Sequence, residues 1–204
     1  MTQPPPTEHL PVMQASGERN ALRRRLLQQR LQTAPSLRQQ WDAVLMQQLL
    51  DWCHQQQPSS LAVYWPIQAE PDLRACYPQL VSMGISLALP WVVQADAPLQ
   101  FLAWQPGDAM EADRYGIPLP AQRTHLLMPE VVLVPCVGFN ADAYRLGYGG
   151  GFYDRTLAAF PSIRALGVAY RCAQADFLPG EHDIPMQWML TEDQADACTG
   201  GHQS

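Results

Sequence analysis

The stretch Arg145-Leu-Gly-Tyr-Gly-Gly-Gly-Phe-Tyr-Asp-Arg155 is the part of this chain whose residue types and spacing could do chemistry. Gly147, Gly149, Gly150 and Gly151 let backbone N–H groups turn inward and approach a ligand closely. A helix starting at Phe152 would add the partial positive charge of its N-terminus, a standard way to hold phosphate. A cation, Arg145, and a carboxylate, Asp154, stand toward the two ends of the stretch. The spacing is neither of two familiar nucleotide motifs: no Lys-Ser/Thr pair follows the glycines, and Phe152 stands where a dinucleotide fingerprint has its third glycine. On spacing alone, an anion cradle and a merely flexible turn both remain open.

Charge distribution supplies a second candidate. The chain has no lysine, so all 13 basic residues are arginine and lysine-based Schiff-base or nucleophile chemistry is excluded. Residues 18–38 hold six arginines against Glu18, a local balance of +5; with −6 overall, the remainder carries −11. A basic segment in an acidic protein suggests one focused anion site rather than the broad basic surface of a nucleic-acid binder. On a helical wheel Arg19, Arg23 and Arg30 fall within about 40° of one another, with Leu22 and Leu26 beside them. That stripe either reaches a polyphosphate or is a solvated basic face. An RNA-binding role lacks interleaved aromatic platforms.

The elements that must position these residues read as an alternation of helices and short strands. Residues 1–17, with Pro4-Pro5-Pro6, read as a disordered leader, residues 18–193 as one α/β domain, and residues 194–204 as a flexible tail. Helices are predicted over Glu18–Leu31, then through Leu37, Trp41, Val44, Leu45 and Trp52, with the tryptophans in the core. A third runs over Asp72–Met83, bent or shortened by Pro78, and a fourth over Phe152–Phe160. Strands are predicted at Leu61–Trp65, Ile85–Leu89, Leu99–Trp104, Val131–Val134, Arg164–Tyr170 and Gln187–Thr191. Tyr115–Pro120 is too proline-rich for regular structure and is expected to cross the surface. The pattern implies one three-layer α/β domain, a mainly parallel sheet flanked by helices on both faces. In such a sheet ligands bind beyond the carboxyl ends of strands, where Pro66-Ile-Gln-Ala-Glu70 lies. Glu70 is then either a substrate-contacting carboxylate or an acid complementing a helix N-terminus.

Composition narrows the class. At 204 residues, 47% hydrophobic and 16% charged, the chain can bury a core without disulfide staples. Five cysteines without a Cys-x-x-Cys pair point to a reducing compartment and away from zinc. No apolar run approaches the ~18–20 residues that span a bilayer. The expectation is a cytoplasmic protein.

With these residues placed, the chain resembles the 5-formyltetrahydrofolate cyclo-ligase family, from Arg19 to about Asp193. The glycine stretch through Asp154 is nearly the family's bacterial signature, with Phe152 where tyrosine is more usual. Supporting matches are Arg19 and Arg23, then Tyr64-Trp-Pro-Ile-Gln-Ala-Glu70, Leu89-Pro90, Gly116-Ile-Pro118, Leu133-Val-Pro135, and Glu181-His-Asp183 ahead of Thr191-Glu192. The resemblance implies ATP- and Mg²⁺-dependent closure of 5-formyltetrahydrofolate to 5,10-methenyltetrahydrofolate, releasing ADP and phosphate. ATP phosphorylates the formyl oxygen, N10 of the substrate attacks the activated carbon, and phosphate departs. The protein then supplies position and charge neutralisation rather than a catalytic side chain. The resemblance assigns ATP to Arg19, Arg23, Arg145, Leu146 and the loop Gly147, Tyr148, Gly149, Gly150, Gly151, Phe152 and Tyr153, with Arg19 and Arg23 at its phosphates. It assigns folate to Trp65, Glu70 and Tyr148–Phe152, and Mg²⁺ to Asp154 and Asp183. Partners would be these small molecules, without nucleic acid or membrane, and the enzyme a monomer. The chain departs from the family at Leu119, where glutamate is frequent, and at Gly150, where some members carry lysine. A non-catalytic folate- or nucleotide-binding relative on the same fold is the alternative.

Overall fold

The computed structural model describes residues 12–193 and 195–197. Helix α1 covers Val12–Gln32 and α2 covers Pro35–Gln56, with Pro35 in the first turn, where its missing N–H costs nothing. The first helix thus starts six residues before the expected Glu18, already inside the segment read as a leader. Residues 1–11 lie outside the described residues.

Seven strands form the main sheet: β1 Ser60–Ala62, β2 Ser86–Trp91, β3 Gln100–Trp104, β6 Val131–Pro135, β9 Arg164–Val168, β10 Trp188–Leu190 and β11 Ala195–Ala197. Their order is β11-β10-β9-β6-β1-β2-β3. The five central strands are parallel, and β3 and β11 are antiparallel edges. Two small hairpins complete the chain: β4 Met110–Ala112 with β5 Pro118–Pro120, and β7 Gly138–Phe139 with β8 Arg145–Leu146. This is the predicted mainly parallel α/β sheet with helices on both faces.

The period-two alternation of each strand sorts the core into two layers. Leu61, Leu87, Leu89, Leu133, Leu166 and Val168 face one side, where Leu45, Leu49, Trp52, Cys53 of α2 and Leu73, Cys76, Tyr77 and Leu80 cover them. Ala62, Ala88, Val132, Val134 and Ala165 face the other, under Leu157 of α4 Phe152–Ala159. Of the residues at helical spacing in α2, Leu37 and Val44 turn outward, and Leu49 and Cys53 join the buried stripe. Helix α1 packs separately, with Leu26 against Val137 and Leu146.

Four local expectations need correction. The first strand is shorter than Leu61–Trp65, and the helix expected over Asp72–Met83 divides between Cys76 and Tyr77 into a 3₁₀ turn, Arg74–Cys76, and α3 Tyr77–Ser82, with Pro78 in the first turn of α3. The proline-rich segment is not irregular. Met110, Glu111 and Ala112 register with Pro120, Leu119 and Pro118, a hairpin that tolerates proline because each strand has a free edge. Leu119 is buried there rather than crossing the surface. The hairpin of β7 and β8 follows β6, and its second strand, Arg145–Leu146, opens the glycine stretch. Finally, β11 pairs with β10 inside the segment read as a tail, of which residues 194 and 198–204 lie outside the described residues.

Among the described residues no helix is long and apolar enough to cross a membrane. Cys53, Cys76, Cys136 and Cys172 are free thiols, and burial pushes the first three up to about 12. Cys198 lies outside the described residues.

Candidate active site

β1 and β6 are neighbours whose chain connections run to opposite sides of the sheet, β1 to β2 and β6 to β9. A crevice opens at the carboxyl ends of such a pair. Two loops line it, Tyr64–Glu70 after β1 and the glycine stretch after β8. The cavity there measures about 640 Å³. Arg19 and Arg23 of α1 close it on one side, and Asp113, Tyr115, Ile117, Pro118 and Leu119 of the β4–β5 hairpin form another wall.

The arginine stripe lies along the glycine loop rather than in solvent. Arg19 pairs with Asp183 at 2.7 Å and also donates to the Leu178 carbonyl at 3.0 Å. One turn on, Arg23 donates through Nε to the Gly147 carbonyl at 2.8 Å. Burial, and then the neighbouring Arg19 charge, lower the Arg23 guanidinium below its ordinary value. Two turns further, Arg30 is buried and donates to Tyr148 Oη at 2.6 Å. Arg24 and Arg25, off the stripe, are exposed. The stripe is therefore not a solvated face; the solvated arginines are its neighbours Arg24 and Arg25.

Backbone conformation demands glycine at two points of the loop. Gly149 has φ +99° and Gly151 φ +64°, the left-handed region that side chains avoid. No side chain caps α4, so the N–H groups of its first turn remain for an anion. Arg155 fixes the loop from behind, donating to the carbonyls of Gly150 and Ala95, each at 2.8 Å, and stacking on Phe152 at 5.0 Å. Arg145, only 5% exposed, pairs with Asp154 at 2.6 Å, and Asp154 Oδ1 also accepts the Ile184 N–H at 3.2 Å.

Another part of the cavity lining is built around Glu70. Burial raises its carboxyl above the usual range, opposed by the Tyr148 hydroxyl, the Ile67 N–H and the Arg30 charge. Tyr148 Oη donates to Glu70 Oε1 at 2.6 Å, and Oε2 accepts the Ile67 N–H at 2.9 Å. Burial also raises the Tyr148 phenol, keeping it protonated and a donor. Trp65 also lines the cavity, edge-on to Trp104 with centroids 6.3 Å apart, and its ring lies under Arg74 at 4.9 Å.

All the site residues singled out in the sequence line this one cavity except Leu146. Leu146 is fully buried with Leu26 and Val137, so it seats the loop on α1 and contributes at most its backbone. Sequence reasoning placed Arg30 in the stripe but gave it no role of its own; the seven-residue step from Arg23 was the available signal. The β4–β5 wall was missed because proline content masked the hairpin.

Comparison with known proteins shows what this chain is similar to. The model of the 5-formyltetrahydrofolate cyclo-ligase family matches residues 15–192. The chain is 32% identical over 148 residues to the 5-formyltetrahydrofolate cyclo-ligase of Haemophilus influenzae, covering 69% of this chain and 79% of the relative. It is 31% identical over 140 residues to that of Escherichia coli K12, covering 65% and 77%. The solution structure of 5,10-methenyltetrahydrofolate synthetase from Aquifex aeolicus superposes with a TM-score of 0.79 at 25% identity, over 91% of this chain and 95% of that one. The corresponding Mycoplasma pneumoniae structure gives 0.71 at 26%, over 84% and 97%. On a match spanning nearly the whole described chain, this protein belongs to the 5-formyltetrahydrofolate cyclo-ligase family.

Proposed function

We propose that this cavity converts 5-formyltetrahydrofolate to 5,10-methenyltetrahydrofolate at the expense of ATP. One observation carries the reading. A single loop joins the arginines of α1 to Glu70: the Gly147 carbonyl is held by Arg23 while the adjacent Tyr148 hydroxyl is held on Glu70. A loop so placed can bring a polyphosphate and a pterin together on one frame.

In this reading Arg19, Arg23 and Arg145 meet the phosphates, together with the N–H groups of the glycine loop and the first turn of α4. Glu70 and Tyr148 hold the pterin, a heterocycle rich in N–H donors that a buried carboxylate suits, and Trp65 supplies an apolar wall. The terminal phosphoryl group passes to the formyl oxygen, and ADP leaves. N10 then attacks the formyl carbon, the carbon–oxygen bond breaks, and the oxygen departs on phosphate while the N10 proton is lost. The substrate brings its own nucleophile, so the chain contributes position and charge.

Asp154 and Asp183 fit Mg²⁺ in type and number. They are hard oxygen donors in one cavity, joined through the Ile184 N–H, and Mg²⁺ bound with phosphates needs only one or two carboxylates. Bound there, Mg²⁺ would neutralise charge developing on the transferred phosphoryl group. Each carboxylate is already paired with an arginine. Nucleotide binding is therefore an exchange: Arg19 and Arg145 turn to phosphate, freeing Asp183 and Asp154 for the metal. Four free thiols among the described residues suit the reducing cytoplasm, where we place the enzyme as a monomer.

The test is turnover. Purified protein with 5-formyltetrahydrofolate, Mg²⁺ and ATP is expected to produce methenyl absorbance and an equal amount of ADP. Binding of both ligands without ADP release would make the chain a non-catalytic relative and overturn the proposal.

A further inference from the structure

We propose that Arg30 is a positioning residue for the folate end of the site: it holds the Tyr148 hydroxyl against Glu70 and supplies the buried positive charge that lets Glu70 meet the pterin as an anion. The inference rests on the assignment of Glu70 and Tyr148 to substrate made above.

Arg30 is 4% exposed, and its guanidinium spends its donors on three separate segments. Nε donates to the Gln68 carbonyl at 3.1 Å in the loop after β1. One terminal nitrogen donates to the Cys136 carbonyl at 3.3 Å, just beyond β6, and the other to Tyr148 Oη at 2.6 Å in the glycine loop. These are the two strand ends and the loop that define the crevice. Tyr148 passes the connection on to Glu70 Oε1. A buried cation and a buried carboxylate are thus joined through one hydroxyl, with no direct ion pair between them among the described residues.

The turn that carries Glu70 needs holding. Gln68 and Ala69 have φ of +47° and +58°, two consecutive side-chain-bearing residues in the left-handed region. Such residues persist where surrounding contacts over-determine them, and the Arg30 bond to the Gln68 carbonyl is one of those contacts. Around Glu70 the facing groups are Tyr148 from the glycine loop, Tyr64 after β1, Cys136 after β6, Tyr153 from α4 and Arg30 from α1. Arg30 is the cation in that set, so removing it leaves the carboxylate buried without counter-charge. A lysine would keep charge but could not reach three acceptors with a planar fork.

The test uses full-length Arg30→Met, Arg30→Lys and Glu70→Gln, each checked for folding. Binding of 5-formyltetrahydrofolate and of Mg-ATP is titrated separately, and kcat/KM is profiled against pH. Arg30→Met is expected to weaken folate binding about 10- to 100-fold, the range for hydrogen bonds to charged groups, and to leave Mg-ATP affinity within about two-fold. Its acid limb should move to higher pH, because an uncompensated Glu70 takes up a proton sooner. Arg30→Lys should restore the acid limb while folate binding stays weak. Equal weakening of both ligands, an unmoved acid limb in Arg30→Met, or failure of both Arg30 variants to fold would each overturn the assignment. Glu70→Gln separates the levels. If it binds folate like the wild type, the reading of the pterin end falls; if it weakens folate while Arg30→Met does not, only the role of Arg30 falls.

Discussion

Asp154→Asn tests the exchange of ion pairs that the proposed function requires. The substitution is nearly isosteric and keeps an acceptor for the Ile184 N–H, so its main effect is to leave Arg145 without an anion. Removing one partner of a fully buried pair costs about 3–5 kcal/mol. Arg145 is 5% exposed but Asp154 is 20% exposed and opens on the cavity, so water recovers part of this, leaving about 2–3 kcal/mol. For a chain of this size that lowers Tm by roughly 4–12 °C. Metal-free ATP should behave oppositely. In the wild type its phosphates must first displace Asp154 from Arg145, whereas in the variant they meet a free guanidinium. The variant is therefore expected to bind metal-free ATP about 5- to 100-fold more tightly, a coupling of ordinary size. With Mg²⁺ present, turnover should fall by about 100-fold or more for want of the metal carboxylate. Thermal melts with and without ATP, and turnover with Mg²⁺, read all three effects. A variant with wild-type Tm and unchanged affinity for metal-free ATP would refute the exchange.

Two further perturbations address separate parts of the site. Glu70 has a raised carboxyl, so between its unfolded and folded values the folded state binds more protons and wild-type stability falls as pH rises through that window. Glu70→Gln should remove this slope, and pH–stability curves that stay parallel would contradict the assigned burial. Gly151→Ala places a side chain at φ +64° with its Cβ 2.7 Å from an Arg155 nitrogen, for an expected loss of about 1–2 kcal/mol in denaturant unfolding. Gly147→Ala meets nothing within 4 Å and should be neutral to stability; equal effects at the two positions would undercut the account of the loop.

The fold was legible where periodicity was clean. The spacing of Leu166 and Val168 in β9, and the continuous apolar run Val131–Val134 of β6, read as strands that the structure reproduces. The candidate site was legible at Glu70, which follows a strand of the parallel sheet, while the glycine loop reaches the same cavity through the β7–β8 hairpin. What escaped detection depends on distant partners. The two-residue strands of the β7–β8 hairpin carry no period to read. β5 is written in prolines, and only its register with β4 makes it a strand. Whether an arginine of α1 is solvated or buried depends on which face meets the loop, which separates Arg30 from Arg24 and Arg25 although their local sequence does not.

The central claim is that one cavity joins ATP to the formyl oxygen and lets N10 close the ring. It is tested most directly with 5-formyltetrahydrofolate carrying ¹⁸O in the formyl group, incubated with the protein, Mg²⁺ and ATP. The account predicts methenyl absorbance accompanied by one ADP per turnover and the label recovered in inorganic phosphate. Methenyl product with the label in water, or ADP formed without methenyl product, would contradict it.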